Sequence, residues 1–288
     1  MLDTQGYRVN NAAGIIAASQ ALQLNSGDFN NQSGQLVGGA DALITTAAFN
    51  NQQGQLSALG NLSLTTLNLQ NDNGGRIQSA GALDLNTQRM GLSNTNDGHI
   101  TSQGNMTLFT GYLDNQTGQI ISNQWLSTDN KTVNNQYGQL TGLTGIYAVT
   151  DALDNSNGKV QSGQDMVWNT RGSLLSNQNG IFSAQHALTL NSGDIDNRSG
   201  LLATNGAMNI TSGTFNNLAG QLAANTSLSL TSSDINNQQG QIQALGDINL
   251  NSQTAQLDNH DGLIHSAAAL IINTDNLLNT NTESVVAH

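Results

Sequence analysis

Apolar and polar positions alternate along this chain in a frame set by a recurring glycine. Counting from Gly54, Leu56 lies two residues on, Ala58 four on, Leu62 eight on and Leu64 ten on. The same frame runs from Gly14, Gly34, Gly75, Gly98, Gly118, Gly138, Gly158, Gly180, Gly200, Gly220, Gly240 and Gly262. The second position is Ile, Leu, Val or Phe in all 13 copies, from Ile16 to Ile264, and the fourth is always small. Another apolar column lies five before the glycine and includes Phe29, Phe49, Leu113, Leu153, Ile195, Phe215 and Ile235. A period of two marks short strands. A helix-pair repeat needs about 30 residues or more and an i, i+3, i+4 pattern, which is absent. A unit of about 20 residues fits one coil of a parallel β-helix, with about 4.8 Å between coils. The expected fold is all-β: a solenoid of about 13–14 coils and roughly 60–70 Å. Residues 1–8 read as a lead-in and 9–288 as a single array. A degenerate fourteenth copy runs from Leu278 to Val285, with Thr282 in the glycine's place.

An asparagine accompanies each glycine, three before it in 11 of 13 copies. Asn51 with Gly54, Asn115 with Gly118, Asn217 with Gly220 and Asn237 with Gly240 are clean corner pairs. Asn71 and Asn94 lie four before, after an insertion. Stacked Asn side chains can hydrogen-bond along the axis, and Asn and Gly both tolerate left-handed turns. The pair is therefore expected where each coil turns. The absence of proline fits a chain whose N–H groups are needed between coils.

Composition narrows the function classes. With no cysteine there is no disulfide framework, thiolate nucleophile or thiolate metal site, and no cofactor is expected. A net charge of −12 is a poor match for nucleic acid or an anionic membrane. No apolar run reaches the 18 or so residues of a membrane span, so no membrane insertion is expected. Met1–Gly6 has neither the basic start nor the apolar stretch of a signal peptide.

The run Asn50-Asn51-Gln52-Gln53-Gly54-Gln55-Leu56-Ser57-Ala58, continued by Gly60-Asn61-Leu62-Ser63-Leu64, returns near Gly220 and Gly240. It resembles the haemagglutinin repeat of the filamentous haemagglutinin family, the long exoproteins of Gram-negative two-partner secretion. Adhesins and contact-dependent growth inhibition exoproteins belong to that family. The resemblance covers roughly residues 9–285. It implies a right-handed β-helix, a secreted or cell-surface location, and service as a structural shaft. Implied partners are an outer-membrane two-partner secretion transporter and a receptor on a host or neighbouring cell.

The alternative reading is a β-helical carbohydrate-active enzyme, a lyase or hydrolase, which needs clustered carboxylates with a base. The seven basic residues are scattered, and Asp114, Asp154, Asp196 and Asp258 share one corner column separated by other residues. They read as turn-bonding residues, and no enzyme is expected. His260 and His265 flank Gly262 near Asp258 and Asp261, a weak metal pattern that reads better as solvated corner residues. Thr45-Thr46 and Thr65-Thr66 do not persist as an ice-binding column, and the remaining Ser and Thr read as surface strand positions. Insertions near Asn94–Asp97, Gly172–Leu175 and Ser252–Thr254 lengthen three coils. Trp125 and Tyr147 flank inward positions and should point outward on one face of adjacent coils, which makes them the candidate binding residues. Trp168, ten after Gly158, should be core. The stack's open ends are expected to fray and to associate end to end.

Overall fold

Alternation in groups of two to five residues, broken by turn residues, yields strands too short to stand alone. The structure, a computed structural model, describes residues 1–253 and 255–281. Thr254 and the tail from Thr282 to His288 lie outside the described residues. The described part has no helix, and its strands form three parallel sheets of 14, 14 and 13 members. The chain visits the sheets in turn: Leu62–Thr65 lies in sheet 1, Asn68–Gln70 in sheet 2 and Arg76–Ser79 in sheet 3. Numbered from the one that begins with Leu2–Asp3 to the one that begins with Leu270–Asn273, there are 14 coils. At about 4.8 Å per coil the rod is roughly 60 Å long. Leu2–Asp3 already pairs with Leu24–Asn25, so the first coil begins at the start of the chain.

Register keeps like on like. Leu36, Leu56, Ile77 and Ile100 stack in one inward column, all buried. In sheet 2 the Phe29 and Phe49 rings stack at 5.3 Å. Each coil buries its apolar edge only against the next, so the core is one continuous file of side chains. Trp168 is wholly buried, as its offset predicts. Its column runs Leu108, Thr128, Ala148, Trp168, Leu190. The smaller side chains of Thr128 and Ala148 leave room for the indole, whose Nε1 donates to Thr150 Oγ1 at 3.2 Å.

The asparagines form an unbroken ladder, buried from Asn11 to Asn259. Each Nδ2 donates to Oδ1 of the asparagine one coil on, from Asn11 through Asn51, Asn115, Asn217 and Asn237 to Asn279, at 2.6–2.8 Å. It also reaches backbone carbonyls, as Asn51 does with Gly54 O at 3.3 Å and Arg76 O at 3.0 Å. A buried amide whose donors and acceptor are all met carries little desolvation cost.

The corner glycines correct one expectation. They do not take the left-handed turn. Positive φ falls on the residue before each, such as Gln53 at 56°, Thr117 at 57° and Gln239 at 55°. Space requires the glycine. A Cβ on Gly54 would lie 2.7 Å from Asn51 Oδ1 and closer still to the Asn31 carbonyl oxygen. A Cβ on Gly118 would lie 2.7 Å from Asn115 Oδ1. The glycine lets the ladder and the backbone of the preceding coil pass.

A second buried polar column corrects the reading of Ser and Thr as surface residues. Thr66, Thr87, Thr110, Thr150, Thr170 and Ser232 are wholly buried at the corner between sheets 1 and 2. Their hydroxyls close that corner: Thr87 Oγ1 donates to Met90 O at 2.9 Å, and Ser232 Oγ to Asp234 O at 2.9 Å.

That corner also reveals a longer period. In most coils five residues separate the last inward residue of sheet 1 from the inward residue of sheet 2, as from Leu64 to Leu69. The interval is seven from Leu2 to Val9, Leu85 to Leu92, Trp168 to Leu175 and Leu250 to Leu257. These are coils 1, 5, 9 and 13. A wide corner therefore recurs every fourth coil, with Thr4, Thr87, Thr170 and Ser252 at equivalent places. Each closes with the same backbone bond: Tyr7 N to Thr4 O, Met90 N to Thr87 O, Ser173 N to Thr170 O and Ala255 N to Ser252 O, at 2.9–3.1 Å. The wide corner leans over the coil that follows. A Cβ on Gly111 would lie 2.7 Å from the Arg89 carbonyl carbon, and one on Gly193 2.6 Å from that of Gly172. Where the preceding coil is narrow, the same place holds Ala47, Leu67, Lys131, Asp151, Ser233 or a further glycine, Gly213, whereas Asp275 holds it after the wide corner of coil 13. The long step to Gly98 thus combines two residues at the Gln88–Arg89 corner with one more between Asn94 and Gly98, stacked on the matching extra residue between Asn71 and Gly75. Asp72 Oδ1 brackets those two enlarged turns, accepting from Ser93 Oγ at 2.6 Å and Thr95 N at 2.8 Å.

Candidate functional site

Since the inward positions are committed to packing, chemistry is left to the outward columns. On sheet 1 these are mostly Asn, Ser, Thr, Asp and Gln, but coils 6 to 9 carry Phe109, Trp125, Tyr147, Val149 and Val167. Trp125 and Tyr147 lie on adjacent strands, Trp125 opposite Gly145 and Tyr147 opposite Ser127. Both point outward, 43% and 51% exposed. The Trp125 ring covers Gly145, where a Cβ would come within 2.5 Å of Cη2 and 2.6 Å of Cε3.

An ion cluster borders this patch, drawn from the wide corners on either side. Arg89 of coil 5 pairs with Asp129 of coil 7 at 2.9 Å, and its guanidinium lies 3.9 Å from the Phe109 ring centroid. Arg171 of coil 9 pairs with Asp151 at 2.9 Å and also with Asp129. The Arg89 hydrogen bond, joined by that of Arg171, holds the Asp129 carboxyl below the usual carboxylate range against the opposing effect of burial. Sequence spacing hid this clasp, because Arg89 and Arg171 lie 40 and 42 residues from their shared acceptor.

The aspartate column holds turns, as its position predicts. Asp114, Asp154, Asp196 and Asp258 each accept the N–H two residues on through Oδ1, at 2.9–3.2 Å. Burial would raise the Asp154 carboxyl, but hydrogen bonds from Ser156 and Gln136 outweigh it and leave the pKa lowered. For Asp196 burial is likewise outweighed, by Arg198 and Gln178. His260 Nδ1 meets Thr280 Oγ1 at 2.6 Å, and among the described residues no group of His, Asp and Glu is placed to hold a metal. A trough of about 630 Å³ runs over the outer face of sheet 1 past Asp41, Leu43 and Asp84. Burial pushes the Asp84 carboxyl up, but Asp41 is engaged by the Asn61 N–H at 2.7 Å. An acid beside an already bonded acceptor is not the facing pair that glycoside hydrolysis uses. Thr46 and Thr66 are buried in the corner column, so the threonine pairs make no flat outward face.

Asn51, Asn115, Asn217 and Asn237, with Gly54, Gly118, Gly220 and Gly240, sit in the ladder and its clearance, not on the surface. The structure brings the clean corner pairs into one line and sets Trp125 and Tyr147 apart from them on sheet 1. No curated protein and no solved structure matches the chain. The family model of the haemagglutinin repeat matches it at residues 7–66, 45–108, 80–129, 110–170, 164–232 and 214–283. With the ladder, the 20-residue coil and these six matches running nearly end to end, the chain belongs to the haemagglutinin-repeat family.

Proposed function

We propose that this chain is a rigid spacer in the shaft of a secreted or cell-surface exoprotein, an adhesin or a contact-dependent growth inhibition stick. The observation that carries this is the asparagine ladder, which links consecutive coils from Asn11 to Asn279 without a gap. A rod locked by short hydrogen bonds at every step resists bending between coils. It therefore converts chain length into distance. In this reading an outer-membrane two-partner secretion transporter exports the parent protein. The shaft then carries a distal region towards a receptor on a host or neighbouring cell. Turnover has no part in this function, and the acids of the Asp114, Asp154, Asp196 and Asp258 column serve the corners.

Excising residues 88–170 from the parent tests the reading. The cut removes one wide-corner period, four coils, and rejoins Thr87 to Arg171. Electron microscopy should show the shaft shortened by about 19 Å, with the distal region still folded and its reach reduced. An unchanged length would overturn the spacer role. Cleavage of a polysaccharide by the intact chain, lost in Asp84→Asn, would establish the enzyme instead.

A further inference from the structure

We propose that Trp125, Tyr147 and Asp165 form a binding plate for a neutral saccharide on the outer face of sheet 1. The proposal goes beyond the spacer reading and stands without it. In the column occupied by Trp125, the neighbouring coils carry Ala82, Asn105, Asp165 and Ala187, and only coil 8 has a glycine, Gly145. The six-membered part of the indole rests on that glycine, in space a Cβ would fill. One face of the ring is thereby covered by backbone and the other is presented to solvent in a fixed attitude. A ring already held in place loses little further freedom when a ligand stacks on it.

The rim supplies polar partners. Asp165, the next residue in the column beyond Gly145, is fixed by His186 Nδ1 at 2.6 Å and by the Ala187 N–H at 3.1 Å, both on Oδ1. Tyr147 presents its phenol one strand over and two residues along, about 8 Å from Trp125 by the strand spacing and rise. An apolar plate edged by a carboxylate and a phenol suits a sugar ring, whose C–H face stacks and whose hydroxyls donate and accept at the edge. Two rings fall well short of the about 800 Å² per partner that a stable protein complex buries. The carboxylate, on a chain of net charge −12, favours neutral over acidic sugars.

The chain's two tryptophans make the test direct, because Trp125 is exposed and Trp168 is buried. The intact chain is titrated with lactose, maltotetraose and chitotriose, and with sialyllactose as the acidic comparison, to about 10 mM. At least one neutral probe should shift the exposed emission to the blue and shield it from acrylamide, and sialyllactose should bind more weakly. Trp125→Ala should abolish the response and keep the Trp168 emission. Gly145→Ala, which lifts the ring without removing it, should weaken binding up to about tenfold. Absence of binding by every neutral probe would overturn the proposal, as would binding retained in Trp125→Ala or a preference for sialyllactose.

Discussion

Asn134 and Asn135 are neighbours of one residue type with opposite structural duties, which makes them a sharp test of the ladder. Asn135 is wholly buried. It accepts from Asn115 Nδ2 at 2.7 Å, and its own Nδ2 donates to Asn155 Oδ1 at 2.7 Å, Lys159 O at 3.2 Å and Gly138 O at 3.3 Å. Two N–H hydrogens cannot serve three acceptors fully, so the side chain makes about three effective bonds, each worth about 1 kcal/mol net. Asn135→Ala also strands Asn155 Oδ1 in a site closed to water, which adds about 1–2 kcal/mol. The expected loss is about 4–5 kcal/mol. Asn134 points outward, accepts the Gln136 N–H at 3.1 Å and donates to Asp114 at 3.1 Å where water can substitute. Asn134→Ala should therefore cost about 1 kcal/mol or less. Urea melts followed by circular dichroism compare the two, and hydrogen exchange locates the damage, since a solenoid can open coil by coil. Equal losses in the two variants would refute the ladder as a main source of cohesion.

Gly111→Ala should destabilise by about 1–3 kcal/mol through collision with the wide corner above it, whereas Lys131→Ala at the equivalent place under a narrow corner should be near neutral; thermal melts that do not separate them would discount the overhang. Leu222→Asp puts a charge between Leu202 and Ile242 and should unfold the neighbouring coils, while outward Gln221→Asp should cost little; matching melts would negate the two-residue alternation. The lowered Asp129 pKa gives a signed pH effect. Its stabilising contribution is present above the unfolded carboxylate value of about 3.9 and is lost as pH falls through the depressed folded value. Asp129 and its arginines are more than a third exposed, so Asp129→Asn should cost about 1 kcal/mol or less at pH 7, and the gap should close in acid. A gap that widened in acid melts would contradict the assignment.

Strand, coil and core were legible in the chain because the inward–outward period is local: Leu56, Ala58, Leu62 and Leu64 announce themselves within one repeat. The asparagine ladder was legible for the same reason, since an identical residue at an identical phase stacks on itself in a parallel fold. What the glycine does was decided by tertiary contact. Gly54 and Gly118 turn no tighter than their neighbours, and what they need is clearance from the preceding coil's backbone, a distance that exists only once coils stack. The buried Ser and Thr column was hidden because a hydroxyl reads as surface until its backbone acceptors are placed. The Arg89–Asp129–Arg171 clasp and the Trp125 plate join residues on different coils, and nothing in their local sequence marks them as partners. Repetition along the chain thus specifies the scaffold, and the departures from it acquire meaning only through the coils they face.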